Sequence, residues 1–263
     1  MNWRNAYTAY VNLDHRVDRN LKMIKELNRV GIKAQRVRGM YPEEYKGDLA
    51  KVQKMRDYNG IGGAIGCHYS QVSIMQAALA NGKDAFVLED DVVFATDVKE
   101  RLDYAADYLK DKDWDVFWLG GTYHVNPAVW HDEHHTNPEL PECDCKLGRD
   151  VELTDDPRIV RTYGIWSTYA YIVNYDSIPK ILKLLEDNVH LSISIDWLFI
   201  KLQPQLQTYA FVAGMAKQYD NKSNIQIGDM QFSDFAKLGI YWFSDKMDDV
   251  NPSSINWAEA RIK

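Results

Sequence analysis

Short apolar runs and longer amphipathic stretches alternate along the chain. Ala6 to Leu13 (AYTAYVNL) reads as a strand. The polar segment 14–20 then opens a predicted helix to about Val30, with Leu21, Ile24, Leu27 and Val30 at helical spacing, Asp18 as its cap and Gly31 as its stop. Lys33 to Val37 follows as a second strand, so the first 40 residues predict a β-α-β unit with a parallel strand pair. Further strands are predicted at Phe86 to Val93, Trp114 to Leu119, Thr168 to Asn174 and Gln207 to Ala213. Helices are predicted up to Ala80 after a glycine-rich segment, over Asp97 to Leu109, from Asp176 to about Glu186, and from near Asp196. The alternation predicts an α/β fold with a mainly parallel mixed central sheet flanked by helices. No repeat or low-complexity linker divides the 263 residues, which suit one domain, with about 1–121 and 122–263 as its two parts.

One of these runs ends unlike the others. Phe86-Val87-Leu88-Glu89-Asp90-Asp91-Val92-Val93 carries three consecutive carboxylates at the end of a strand that reads as buried on both faces. Open α/β sheets bind ligands at the carboxyl ends of their strands. Adjacent negative charges require a positive partner, and carboxylate oxygens suit a hard cation such as Mg²⁺ or Mn²⁺, which would in turn hold phosphates. Alternation along the strand puts Glu89 and Asp91 on one side, facing one metal–diphosphate unit, with Asp90 directed elsewhere. A solvated acidic turn is the competing reading.

Composition narrows the classes. The chain is 46% hydrophobic and 12% aromatic, with 16 Tyr and 8 Trp, which excludes a disordered protein. Its rings suit sugar or nucleotide stacking as well as core filling. A net charge of −7 and a pI near 5.5 argue against broad nucleic-acid binding. The absence of a signal-type or membrane-spanning apolar run, and three cysteines that form no disulfide framework, lead to the expectation of a soluble, cytoplasmic protein.

Other candidate chemistry is scattered. Arg16 and Arg19 lie beyond the first predicted strand, where a phosphate or base could be met; ordinary surface arginines are the alternative. The glycines of Asn59 to Gly66 permit a tight turn and a close backbone approach to a ligand, without a phosphate-loop ending. Cys67 and His68 read as buried or structural groups. Residues 122–157 contain His124, His131, His134, His135, Cys143 and Cys145, in a spacing that fits no standard zinc pattern and is read as a polar active-site flap. Residues 217–225 read as a polar loop near the site. Asp196 is the one acid in an apolar stretch, where a carboxylate is costly unless paired, used in chemistry or capping a helix.

Taken in order, Tyr10-Val11-Asn12-Leu13-Asp14 with Arg16, Asp18 and Arg19, then Gly66-Cys67-His68-Tyr69-Ser70, then Leu88-Glu89-Asp90-Asp91-Val92, resemble glycosyltransferase family 25. The resemblance continues more weakly through Trp114-Asp115-Val116, Tyr169 to Val173, Ile195-Asp196-Trp197 and Ser223-Asn224-Ile225. It implies a GT-A type nucleotide-diphospho-sugar transferase fold and sugar transfer with inversion from a donor, most simply a UDP-hexose, to a hydroxyl on a glycan or other macromolecule. Glu89 and Asp91 would hold Mn²⁺ or Mg²⁺. The donor would lie against Asn12, Asp14, Arg16, Arg19, Ser70, Gln71, Glu89 and Asp90. The family often has His at the position of Gln71, so that residue's role does not carry over. For the general base, Asp196 leads, followed by His124 and Asp220. A phage-type transferase acting on a modified DNA base, and a sugar-binding protein without catalysis, are the alternative classes.

Overall fold

The computed structural model describes residues 1–47, 61–123, 151–189, 194–219, 240–241 and 244–247. Its frame is an eight-stranded sheet in the order β2-β1-β3-β10-β5-β11-β8-β7. These strands are β1 (Tyr7–Asn12), β2 (Gln35–Arg38), β3 (Ala85–Glu89), β5 (Val116–Trp118), β7 (Val151–Leu153), β8 (Ile159–Thr162), β10 (Ala170–Val173) and β11 (Thr208–Phe211). β4 (Val92–Phe94) pairs with β12 (Ala216–Gln218) outside it. β6 (Thr122–Tyr123), β9 (Ile165–Trp166) and β13 (Ile240–Tyr241) form a third, small sheet.

The predicted β-α-β opening is present: β1 pairs in parallel with both β2 and β3. The expectation of a mainly parallel sheet needs correction. β10 and β8 run against their neighbours on both sides, so four of the seven pairings are antiparallel. The reversal has a consequence for the site, because it brings the start of β10 beside the end of β3, with Ala170 opposite Leu88.

Among the described residues five α-helices cover the sheet: α1 (Val17–Val30), α2 (Ile61–Ala80), α3 (Val98–Tyr108), α4 (Ile178–Asn188) and α5 (Ile195–Leu202). Alternation along β3 divides them. Phe86 and Leu88 join the core with Met23 and Leu27 of α1 and Leu102 of α3. Ala85 and Val87 face the other core, with Ile74 and Met75 of α2, Ile181 of α4 and Phe199 of α5. A strand covered on both sides in this way has no polar alternation, which is why it reads as a continuous apolar run.

Several local expectations shift. In α1 the buried residues are Met23, Leu27 and Val30, whereas Leu21 and Ile24 are 62% and 42% exposed. The helix buries a narrower stripe than its apolar pattern offers. Arg16 holds the N-cap position and Asp18 sits inside the first turn; Gly31 ends the helix at φ 65°, a left-handed stop that suits glycine. Gly66 lies within α2 rather than in a tight turn, and its close approach is to the chain itself: a Cβ there would fall 2.4 Å from the Met40 carbonyl oxygen. The acidic run is two strands, β3 and β4, joined by a turn at Asp90-Asp91. Ala216 to Gln218 is a strand and not loop, and the described end of the 122–157 segment contributes β7.

Candidate functional site

The carboxyl ends of β1 and β3 lie side by side, with Val11 opposite Glu89, and they carry the first part of the site. Glu89 continues the face of Ala85 and Val87, so it points toward α2 and α5. There Gln71 Nε2 donates to Glu89 Oε1 at 3.0 Å, and the Cys67 thiol lies 3.7 Å from the same oxygen. On its other side, Gln218 Nε2 lies 3.3 Å from Glu89 Oε2 and 3.2 Å from Asp91 Oδ1. Glu89 and Asp91 thus stand on either side of one amide donor.

Asp90 does not meet Gln71 or Gln218, but strand alternation is not the reason, because Asp90 and Asp91 lie in the turn after β3. Asp90 accepts from Asn12 Nδ2 at 2.6 Å and from Arg19 Nη1 at 2.9 Å. The same Arg19 nitrogen lies 3.3 Å from Asp91 Oδ2, so one nearly buried guanidinium serves both turn acids. Asn12 is buried as well, donating also to the Arg16 carbonyl and accepting from Arg36 Nε. Arg16 makes a two-pronged pair with exposed Asp18, holding that carboxyl down at about 2. Asp14 pairs with Arg36 and Arg38 at the surface, and the Arg36 bond above all keeps its carboxyl below the usual range. Ser70 is not at the acids: its hydroxyl donates to the Gly66 carbonyl and accepts from the Met40 amide, pinning the chain after β2 to α2.

The second part comes from α5. Ser194 holds its N-cap position and Asp196 lies in the first turn, so capping does not account for this acid. Asp196 Oδ1 accepts a 2.9 Å hydrogen bond from Thr168 Oγ1, and Thr168 in turn receives Gln71 Nε2 at 3.3 Å. Gln71 is thereby the link between Glu89 and Asp196. Its carbonyl oxygen accepts from buried Tyr171 at 2.8 Å, and the Tyr171 ring packs against Trp118 and Phe199 with centroids 5.2 and 5.5 Å away.

The electrostatics follow from this crowding. Burial pushes Glu89 well above the ordinary carboxylate range, and repulsion from Asp91, Asp196 and Asp90 adds to it against the attraction of Arg19. Burial also raises Asp196, opposed by the Thr168 hydrogen bond. Cys67 and Tyr171 are raised by burial too, so neither is a ready nucleophile or proton donor. Asp115, from the weaker part of the resemblance, is a structural acid: burial is outweighed by hydrogen bonds from Ser177, the Gln207 amide and Lys180, which hold it below its usual range.

Among the described residues no group of three or more His, Cys, Asp or Glu side chains has metal-holding geometry. Two carboxylates converging on one neutral amide donor, Gln218 Nε2, are a donor set of the kind that suits a Mg²⁺-like ion, which commonly takes one or two carboxylates and completes its shell with water and substrate phosphate. His124 and Asp220, the other candidate bases, lie outside the described residues, as do His131, His134, His135, Cys143, Cys145 and Ser223 to Ile225. Sequence reasoning missed Thr168, Tyr171 and Gln218. The first two sit in or beside a strand buried on both faces, where no polar alternation marks a site residue, and Gln218 lies in what reads as loop.

A mixed α/β sheet thus gathers paired acids at its strand ends, where open α/β sheets bind their ligands, and links them to a further buried acid. The chain is a glycosyltransferase. Residues 7–199 match the model of glycosyltransferase family 25 (LPS biosynthesis protein), most of the chain, and the protein belongs to that family. No curated protein matches it. Among the described residues no helix is long and apolar enough to cross a membrane.

Proposed function

We propose that this protein is a metal-dependent, inverting hexosyltransferase of GT-A type. In this reading it moves a sugar from a nucleotide-diphospho-sugar, with UDP-hexose as the first choice, to an acceptor hydroxyl on a glycan. The observation that carries the reading is the hydrogen-bonded line from Glu89 through Gln71 and Thr168 to Asp196. It joins the acids suited to the diphosphate end of a donor to a separate acid suited to the acceptor end.

Transfer with inversion is one displacement. The acceptor oxygen attacks the anomeric carbon from the face opposite the leaving group, and the bond from that carbon to the diphosphate breaks with its electron pair. Asp196 takes the proton of the acceptor hydroxyl through the oxygen that Thr168 leaves available. Its raised affinity for a proton suits a general base, whose best pKa lies nearer the working pH than that of a free carboxylate. Glu89 and Asp91 would hold Mn²⁺ or Mg²⁺, and that ion when bound supplies charge neutralisation for the departing diphosphate. Arg19 keeps Asp90 and Asp91 in place for this.

The test is thermal-shift screening of UDP-, GDP-, CMP- and dTDP-sugars with and without Mn²⁺, followed by donor hydrolysis with the donor that binds. Stabilisation by a UDP-sugar that needs Mn²⁺ and vanishes with chelator is expected. Binding without turnover in the presence of diverse acceptors would favour a non-catalytic sugar-binding protein.

A further inference from the structure

Each hydrogen of the buried network around Gln71 has a defined direction. An amide group donates only through Nε2 and accepts only through Oε1. The Tyr171 hydroxyl lies 2.8 Å from Oε1, and Glu89 Oε1 lies 3.0 Å from Nε2. With Glu89 ionised, turning the amide over would set its carbonyl oxygen against a carboxylate, which fixes the orientation in that state. The second Nε2 hydrogen has two partners in reach, Thr168 Oγ1 at 3.3 Å and Cys67 Sγ at 3.4 Å, and the hydroxyl oxygen is the stronger acceptor of the two. A hydroxyl that accepts there has a single proton of its own left, and it is directed at Asp196 Oδ1, 2.9 Å away.

The backbone supports the same point. Ser167, immediately before Thr168, has φ 84°, the described non-glycine residue in the left-handed region. Such a conformation is unfavourable for a residue with a Cβ and persists where surrounding structure holds it, most often at functional sites. It lies where the chain leaves β9 in the small sheet to enter β10 in the main one. The kink delivers the Thr168 side chain to the edge where Glu89 and Asp196 meet.

We propose that Thr168 is a positioning residue, whose hydroxyl, oriented by Gln71 and Tyr171, fixes which oxygen of Asp196 faces the acceptor. The proposal rests on Asp196 being the general base. Thr168 keeps Oδ1 engaged, beside the bond that the carboxylate also takes from its own backbone N–H, and in this role Oδ2 is the oxygen turned to the sugar hydroxyl. Thr168 touches no reacting atom in this role. Its loss is expected to slow the chemical step and leave donor binding intact.

The test compares Thr168→Val, which keeps the shape and loses the hydroxyl, with Thr168→Ser, which restores it, and with Asp196→Asn. Crystal structures of the variants report the Asp196 side chain directly, without any substrate. UDP-galactose with Mn²⁺ serves as the turnover probe with water as acceptor, and UDP with Mn²⁺ as the binding probe. In Thr168→Val the Asp196 carboxylate should leave its observed rotamer, and kcat should fall about 10–100-fold, the scale of a misplaced catalytic group. KM and UDP affinity should stay within about twofold, since uniform binding is untouched. Thr168→Ser should return both the rotamer and kcat toward the parent, and Thr168→Ala replaces the valine variant if that one does not fold. An Asp196 side chain that keeps its orientation in Thr168→Val, or a serine variant as impaired as the valine one, overturns the positioning role while leaving Asp196 as base. Parental turnover in Asp196→Asn retires Asp196 as base and this proposal with it.

Discussion

Arg19 Nη1 stands 2.9 Å from Asp90 Oδ1 and 3.3 Å from Asp91 Oδ2, with its side chain 11% exposed. Removing one partner of a buried ion pair leaves an uncompensated charge at a cost of about 3–5 kcal/mol. Arg19→Ala is therefore expected to destabilise the protein on that scale in urea unfolding. Arg16→Ala, which breaks a pair with exposed Asp18, should change stability by only about 0–1 kcal/mol. Equal midpoints for the two variants would contradict the ion-pair geometry.

Asp91→Asn keeps the shape of a side chain that converges with Glu89 on Gln218 and removes its charge. Metal-dependent UDP binding should be lost while the melting temperature holds or rises, because a like charge beside Glu89 is gone. Titration calorimetry of UDP with Mn²⁺, and again with chelator, provides the check. Unchanged affinity in both conditions would remove Asp91 from the donor site.

Asp196→Asn retains an oxygen to accept from Thr168 and cannot take a proton. It should melt at or above the parent temperature and bind UDP and Mn²⁺ normally. Transfer should be slower by at least about a hundredfold, within the 10²–10⁴ range of general-base contributions. Stopped-time assays of UDP release measure it.

Glu89 sets a pH signature. An unfolded Glu titrates near 4.5, and burial with neighbouring acids raises the folded value well above that. The folded state then binds the extra proton between the two values, so this group's contribution to stability falls as pH rises through the window and levels off above the folded value. Glu89→Gln removes the term. Its melting temperature should match the parent near pH 4.5 and exceed it by several degrees at pH 8, at about 2–4 °C per kcal/mol for a chain of this size. Parallel pH curves for the two proteins would show that Glu89 carries no such shift.

Gly66→Ala tests the close approach behind Gln71. The added carbon would meet the Met40 carbonyl oxygen at 2.4 Å, and backbone does not yield as a flexible side chain does. Overpacking of this kind costs about 1–3 kcal/mol. Because Met40 is also bonded to Ser70, one residue before Gln71, donor binding should weaken along with stability. Parental stability in this variant would mean that the β2–α2 contact is loose.

Local order along the chain determined much of the outcome. The apolar run before Glu89 and the helical spacing before Gly31 are consequences of backbone period, which neighbouring residues carry by themselves. So is the oddity of Asp196 among apolar neighbours, since a carboxylate there is costly in any packing. Tertiary structure decided the rest. Strand direction depends on which distant segment pairs, and no local pattern states that β10 runs against β3 and β5. That reversal sets Thr168 at the edge holding Glu89, with Asp196 of α5 in reach of its hydroxyl. Gln71 meets Glu89, Thr168 and Tyr171 from 18, 97 and 100 residues away. Side-chain chemistry proposes such partners in great number, and only the packing of α2 and α5 on one face of the sheet selects among them.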